Sequence, residues 1–253
     1  MTTIKRLVLT LPMAFGLLTP IASVSVVHAA ATIRPAVANS TTAGSGTNTD
    51  QATRLTNMKQ KGDQEITRRL NALSKLTDKI TAAAKLSASD KAALSSEVSS
   101  EITGLTTLKA KLDAETTVAG AAADVQSMVT EYRVYALIVP KVQLIKTADD
   151  QQAVESKLTD LATKLQARLT TAQTQGKDVS ALQTKLTDMN TQIATAQAIS
   201  AGVEVEALAL QPSDYNADHA IVSSYRNRLQ TAHQDNQAAY QDAKAIVSGL
   251  KSL

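Results

Sequence analysis

The chain of 253 residues contains no cysteine and no tryptophan, and it has a single phenylalanine. Without cysteine it can form no disulfide bond, no zinc–thiolate site and no thiolate nucleophile. Its stability must therefore come from packing alone. Because aromatic side chains are so scarce, the core must be built mainly from Leu, Ile, Val and Ala. Such a core suits close-packed helices better than the aromatic-rich interior of a β-sandwich.

Catalytic signatures are also missing from the sequence. It has no G-x-S-x-G elbow, and no Gly-rich phosphate loop follows a predicted strand. Beyond the amino-terminal region the only histidines are His219 and His233. Fourteen residues along a helix correspond to about 21 Å, which is too far for one metal ion to bridge. We therefore predict no enzyme activity, no catalytic residue, no cofactor and no metal site.

Residues 1–30 have the three parts of a secretory signal peptide. Lys5 and Arg6 form the basic start, residues 7–21 are mostly apolar, and Val27-His28-Ala29 offers a small-x-small cleavage site. We expect cleavage near this site and a secreted, extracellular or cell-surface protein, or a periplasmic one if the source has an outer membrane.

The charge balance of the predicted mature chain is close to neutral. Removing residues 1–30 takes away two of the 26 basic residues and none of the 23 acidic ones, so the formal charge becomes about +1. This balance gives no electrostatic signature of nucleic-acid binding. Because no second apolar stretch of membrane length follows, we also expect no integral membrane span after signal removal.

Two kinds of segment follow the signal peptide. Residues 31–50 are rich in Ser, Thr, Gly and Asn and are predicted to be a disordered linker. From residue 51 the apolar residues recur every three or four positions, which indicates amphipathic helices. The predicted helices cover residues 51–85, 88–113, 117–139, 148–175, 179–202 and 214–251. The resulting fold class is all-α, an elongated antiparallel bundle of about six helices in coiled-coil-like hairpins. Residues 51–146 are predicted to form a hairpin plus a connecting helix, and residues 147–253 a three-helix bundle.

Several local signals set the predicted boundaries. Ser87-Ala88-Ser89-Asp90 and Thr147-Ala148-Asp149-Asp150 have the spacing of capping boxes and predict helix starts. Gly176 is predicted to end the fourth helix in a left-handed conformation. The third helix should bury a stripe with four-three spacing that runs from Val118 to Val139. Because Pro140 disfavours helix at Val139, residues 134–146 are either a kinked helix or an extended excursion, and we favour the kink.

Tyrosines are the only side chains of the predicted mature chain that could stack on a sugar or a peptide. Arg133, Tyr135 and Tyr215 are the candidate contacts with a ligand or partner, as an aromatic platform with Arg133 as the anion anchor. The simpler interpretation, which we favour, is that the tyrosines cover helix seams and bundle ends.

Three stretches together carry a likeness to known proteins: residues 131–141, Ala148-Asp149-Asp150 and Gly176-Lys177-Asp178. With the final helix, they resemble an uncharacterised family of exported all-helical bacterial proteins with no assigned activity. The resemblance covers residues 85–251 and implies export, a helical fold and a bacterial cell envelope. It implies no catalytic residues.

These observations favour an exported, non-enzymatic structural or interaction protein of the cell envelope or extracellular space. It would use helix faces, mainly of helices 1 to 3, to associate with itself or with another envelope protein. The alternative is a surface or periplasmic binding module for a small ligand, a sugar or a peptide. In that case residues 134–146 and a loop at 203–216 would close a cleft around Arg133, Tyr135 and Tyr215.

Overall fold

The computed structural model describes residues 46–253, and this part of the chain is helical, with no strand. Six long helices, one short helix and one π-helical segment follow one another. They are α1 (Gly46–Ala82), α2 (Ala88–Ala114), α3 (Val118–Thr130), the π-helical segment (Val134–Ile138), α4 (Val139–Thr174), α5 (Ser180–Ala209), α6 (Pro212–Ala217) and α7 (Ile221–Ser252). The all-α fold class is therefore confirmed, as a helical bundle.

The predicted signal peptide, residues 1–30, lies outside the described residues, and so does most of the predicted linker. The last part of that linker is described, and it differs from the prediction. Residues 46–50 form the first turn of α1. Their composition predicts a linker, but once a helix is nucleated each added residue costs little, so α1 can extend into weak helix formers.

Helices α1, α2 and α3 share one apolar core. The apolar residues that recur every three or four positions in the first two helices form their buried faces, as predicted. Leu73 and Ile80 of α1 and Leu94 and Leu105 of α2 are fully or almost fully buried. The stripe predicted from Val118 to Val139 is confirmed only in part, because Val125, Tyr132 and Val139 are partly buried against this core. The fully buried residues of α3 are Ala121, Asp124 and Met128, whereas Ala122 and Val129 are exposed. Alanine and valine distinguish the two faces of this helix only weakly. Burial of Asp124 is compensated by an ion pair of 2.6 Å with Lys111 of α2.

The chain bends between α3 and α4. Residues 134–146 are helical, as favoured, but the interruption falls earlier, at residues 131–133. The predicted start of the fourth helix at residue 148 is wrong, because α4 already begins at Val139 and runs through residues 147–150. Pro140 lies in its first turn, where the missing N–H is not needed and the fixed φ favours a helix start. The predicted domain boundary between residues 146 and 147 therefore lies inside a continuous helix.

Helices α4, α5 and α7 pack against one another, and a polar layer divides their interior. Ala148, Val203 and Leu229 belong to the core cluster shared with α1 to α3, whereas Leu158, Ile193 and Ala239 lie further along the bundle, outside that cluster. Between these two sets each helix contributes one buried polar residue. The Ser200 hydroxyl donates to Glu155 Oε1 at 2.8 Å, and Asn236 Nδ2 donates to the same oxygen at 3.2 Å. Such a layer pairs correctly in only one register, so it favours one alignment of the three helices.

The connections between α4, α5 and α7 are short. Gly176 has φ +77° and ends α4 as predicted. Helix α5 extends to Ala209, and α6 begins at Pro212, so the predicted loop at residues 203–216 is wrong except at its centre. Among residues 46–253, no helix combines the length and apolar character that a membrane span requires.

Candidate functional site

Three carboxylates converge where the start of α2 meets α4 and α5. Asp90 comes from the first turn of α2, Asp149 from the middle of α4, and Glu204 from the last turns of α5. One carboxylate oxygen from each of these residues lies within 4.8 Å of the other two. Asp90 and Asp149 are buried, with 2% and 7% of their surface exposed. We call these three residues the acidic junction.

Local structure explains why Asp90 and Asp149 face each other. The Ser87 hydroxyl accepts from the backbone N–H of Asp90 at 3.0 Å, which is one half of the predicted capping box. The other half differs from the prediction. The backbone N–H of Ser87 donates to Asp149 Oδ2 at 2.8 Å, so a residue of α4 takes the position expected for Asp90. The Asp90 carboxylate is therefore released from capping, and its buried Oδ2 accepts no hydrogen bond.

The acidic junction is held by few favourable contacts. Burial, the charges of Asp90 and Glu204 and a side-chain hydrogen bond with Asp90 together raise the pKa of Asp149 to about 6, although the Ser87 N–H lowers it. Glu204 accepts a hydrogen bond from the Gln152 amide, one turn along α4 from Asp149. None of the ion pairs among the described residues includes Asp90, Asp149 or Glu204. Three negative charges thus lie close together without a basic partner.

A buried lysine links the same helices at a second point. Lys141, in the first turn of α4, is completely buried. Its Nζ donates to Glu97 Oε1 of α2 and to the carbonyl oxygen of Leu210, each at 2.6 Å. Leu210 caps the carboxyl end of α5, where backbone carbonyls lack helical partners and a positive charge is favourable. Lys141 therefore joins α2, α4 and α5.

Glu101 lies one turn after Glu97 on α2. Burial raises the pKa of Glu101 to about 7, the Glu97 charge raises it as well, and the Lys141 charge lowers it. Lys141 donates to Glu97 but makes no hydrogen bond with Glu101, and Glu101 Oε2 is buried without a partner. We therefore expect the Glu101 carboxyl group to bind a proton near neutral pH.

The structure brings together two of the three predicted contact residues. The guanidinium carbon of Arg133 lies 5.4 Å from the centre of the Tyr215 ring, and Arg133 Nε donates to Asn216 Oδ1 at 2.8 Å. Tyr135 lies elsewhere, with its ring beneath Arg69 of α1 at 5.6 Å. The start of α4 and the end of α5, which belong to the two segments predicted to close the cleft, are in direct contact through Lys141. A ligand-binding role for Arg133, Tyr135 and Tyr215 stays a prediction.

A polar groove of about 320 Å³ runs between α4 and α5. Its walls are lined by Gln152, Glu155, Ser156, Thr159, Asp160, Gln197 and Ala201. Glu155 reaches this groove from the polar layer, and its Oε2 is buried without a hydrogen-bond partner. Burial raises the pKa of Glu155, while the Ser200 and Asn236 donors lower it. The amide, hydroxyl and carboxyl groups of the other lining residues are the ones that could form hydrogen bonds with a small polar ligand, because Glu155 itself is buried.

Sequence reasoning missed the acidic junction, Lys141 and the groove. The pair Asp149 and Asp150 is visible in the sequence, but its position suggests a helix cap. The structure instead places both residues inside α4, where Asp150 pairs with Lys146 at 2.6 Å and Lys85 at 3.3 Å. The side-chain contacts of Asp149 are made with residues more than fifty positions away in the sequence, and no local pattern predicts these contacts.

A scan against protein-family models and searches of curated proteins and solved structures found no match to this chain.

Proposed function

We propose that this chain is an exported, non-enzymatic structural or interaction protein of a bacterial cell envelope or the extracellular space. It acts through the surface of α1 to α3 and associates there with a second copy or with another envelope protein. The signal-like residues 1–30 and the resemblance to exported helical proteins support export. The exposed apolar residues beside α1 support the contact surface.

One observation carries the proposed contact surface. The described part of the chain exposes four large hydrophobic side chains, and two of them, Val129 and Tyr135, lie within seven residues of each other. Val129 is 39% and Tyr135 50% exposed, at the end of α3 and in the π-helical segment. Arg69 joins these two stretches, since its Nη1 lies 3.5 Å from Met128 Sδ and its guanidinium covers the Tyr135 ring. We call Arg69, Val129 and Tyr135 the junction surface.

The chemistry of the junction surface suits a protein contact. Tyrosine and arginine are enriched at the centres of protein interfaces, because both bury a large area and still offer polar groups. Tyr135 is already oriented by Arg69, so it loses little side-chain entropy on binding. Arg133, by contrast, is occupied by Tyr215 and Asn216, which supports a role in fixing α6 rather than in binding a partner.

Light scattering coupled to size-exclusion chromatography tests the contact surface. Residues 31–253 should show an average mass that rises with protein concentration. The double variant Val129→Ser/Tyr135→Ser should stay monomeric, because it loses the exposed apolar area. The control is Val205→Ser on α5, which removes a more exposed apolar side chain, 66% accessible, away from the junction surface and should associate as the wild type does.

The same measurement can contradict the proposal. If the wild type stays monomeric throughout the series, self-association is wrong and only a heterologous partner is left. If Val205→Ser dissociates the assembly as strongly as the double variant, the junction surface is not the contact. Export has its own test: protein recovered from the medium or the cell surface should begin close to residue 30, and retention of residue 1 in the cytoplasm would contradict it.

The groove between α4 and α5 favours a second candidate function, a binding module for a small polar ligand such as a sugar. Carboxylate, amide and hydroxyl groups line it, and Gln197 is an exposed member of this lining. A thermal-shift screen of envelope sugars and short peptides tests this function. A ligand that stabilises the wild type should lose its effect in Gln197→Ala, at the rim of the groove, but not in Arg133→Ala. Stabilisation that depends on Arg133 would support the predicted platform instead.

A further inference from the structure

We propose that the acidic junction is a binding site for a divalent cation, preferably Ca²⁺, which ties the start of α2 to α4 and α5. The ligands are one carboxylate oxygen each from Asp90, Asp149 and Glu204. This inference goes beyond the proposed function, because it concerns the interior of the protein and not its contact surface.

The spacing of the three oxygens fits calcium. They lie within 4.8 Å of one another, which is about twice the usual Ca²⁺–oxygen distance of 2.3–2.6 Å. An ion placed among them can therefore contact all three with little movement of the side chains. Mg²⁺ binds at about 2.0–2.1 Å, demands near-ideal octahedral geometry and gives up its water reluctantly, whereas Ca²⁺ accepts the irregular arrangement that carboxylates from three separate helices provide.

Asp90 provides a second, separate indication of a ligand. Its side chain is 2% exposed, yet its buried Oδ2 has no hydrogen-bond donor as long as the neighbouring Asp149 is ionised. An orphaned carboxylate oxygen in the interior is costly unless an unseen group satisfies it. Among the described residues no lysine or arginine pairs with any of the three carboxylates, so a bound cation would supply the missing positive charge.

The surroundings orient the ligands. The Ser87 N–H holds Asp149 Oδ2, and the Gln152 amide holds Glu204, so the side chains of these two residues are fixed in position close to Asp90. Outer hydrogen bonds of this kind commonly fix metal-binding carboxylates. Three carboxylates without a dedicated calcium loop suggest a dissociation constant on the order of 10⁻⁴–10⁻³ M, which is typical of extracellular calcium modules.

Calorimetry and thermal unfolding of residues 31–253 in EDTA, CaCl2 or MgCl2 test the site. Isothermal titration of the wild type should show one Ca²⁺ per chain and weaker Mg²⁺ binding. At ten times the dissociation constant, Ca²⁺ should raise Tm by about 3–5 °C. The variant Asp149→Asn should have a higher Tm than the wild type in EDTA, because it removes a buried repelling charge, and should lose the calcium-dependent shift.

Asp188→Asn is the matched control, since Asp188 is an exposed aspartate of α5. It should bind calcium as the wild type does. The proposal is wrong if the wild type shows neither heat nor a Tm shift with Ca²⁺, or if Asp188→Asn loses the shift together with Asp149→Asn. An increase in the Tm of Asp149→Asn without any calcium effect would show that the junction holds a proton instead. The wild-type titration keeps the proposal testable even if a variant fails to fold.

Discussion

At the scale of single residues, close contacts depend on small side chains at defined places. Gly104 lies in the interior of α2, where glycine usually weakens a helix. The ring of Tyr132 occupies the space beside it, and a Cβ at position 104 would lie 2.5 Å from Tyr132 Cε1. Gly104 therefore allows the ring of Tyr132 to pack closely against α2.

Substitution of Gly104 by alanine should accordingly destabilise the protein. We expect Gly104→Ala to lower the free energy of unfolding by about 1–3 kcal/mol, because the tyrosine ring cannot yield without moving the residues after α3. The control is Gly202→Ala in α5, where the nearest atom is the flexible end of Arg228 at 3.1 Å. That variant should be unchanged or more stable by up to about 1 kcal/mol. Urea unfolding followed by circular dichroism measures both, and equal effects would contradict this account.

Glu101 predicts a pH dependence of stability. Its pKa is about 7 in the folded protein and 4.5 in the unfolded chain, so between these values the folded state binds more protons. The free energy of unfolding should therefore fall as the pH rises from about 4.5 to about 7. The change is on the order of 1–3 kcal/mol. Glu101→Gln should flatten this part of the profile and be more stable than the wild type at pH 8.

Urea unfolding at several pH values checks the Glu101 prediction. Asp188→Asn serves again as the exposed control and should keep the wild-type slope. A Glu101→Gln profile as steep as that of the wild type would show that Glu101 is ionised in the folded protein and that another group causes the dependence.

At the scale of helices, the sequence predicts which face of a helix is buried better than it predicts the residue at which the helix begins. Leu158, Leu161 and Leu165 of α4 recur at three- and four-residue spacing and are buried. In the Ala-rich α3 the same approach selects the buried face only in part, because the buried side chains include Asp124, which pairs with Lys111 of another helix. Likewise Thr147 to Asp150 have the pattern of a cap, but Pro140 starts α4 two turns earlier. Local sequence patterns indicate which secondary structure a segment favours. Contacts with distant residues decide which of several possible local structures forms.

Lys141 connects three helices and should be among the most sensitive positions. Lys141→Met keeps the volume but leaves the Leu210 carbonyl and Glu97 without their donor. We expect a loss of about 3 kcal/mol in the free energy of unfolding. The control is Lys146→Met in the same helix, whose ion pair with Asp150 is solvent-accessible and should contribute less than about 1 kcal/mol.

The double variant Lys141→Met/Glu97→Gln extends the Lys141 prediction. If the lysine stabilises mainly by pairing with Glu97, the double variant should recover part of the loss. If it recovers nothing, capping of α5 through Leu210 is the main contribution. A loss from Lys141→Met no larger than that from Lys146→Met would contradict the proposed link between α2, α4 and α5.

At the scale of the whole molecule, the fold class follows from composition and periodicity, but the site does not. A chain without cysteine and with few aromatic residues is limited to aliphatic packing, and the repeated leucines select helices. Asp90, Asp149 and Glu204 come together only because the loop before α2 packs on α4 and the end of α5 reaches the same point. The spacing of residues within any one helix therefore cannot predict that these three side chains lie close together.

The residues of the predicted tyrosine site are divided between two parts of the molecule. Tyr135 and Arg133 are neighbours in the sequence, but the turn between α3 and the π-helical segment sends them to different partners, Arg69 and Tyr215. Arg133 holds the largely exposed helix α6 through Tyr215 and Asn216, while Tyr135 is half exposed beside α1. The central claim of the proposed function depends on that exposure.

The most direct test of this claim is photo-crosslinking from position 135. A photoreactive phenylalanine at position 135 should capture a second copy of the chain, or one defined envelope protein, when the protein is illuminated in its producing cell. The same probe at position 205, which is more exposed and lies on α5, should capture nothing specific. Equal products from both positions, or no product from position 135, would contradict a contact surface at the junction of α1, α3 and the π-helical segment.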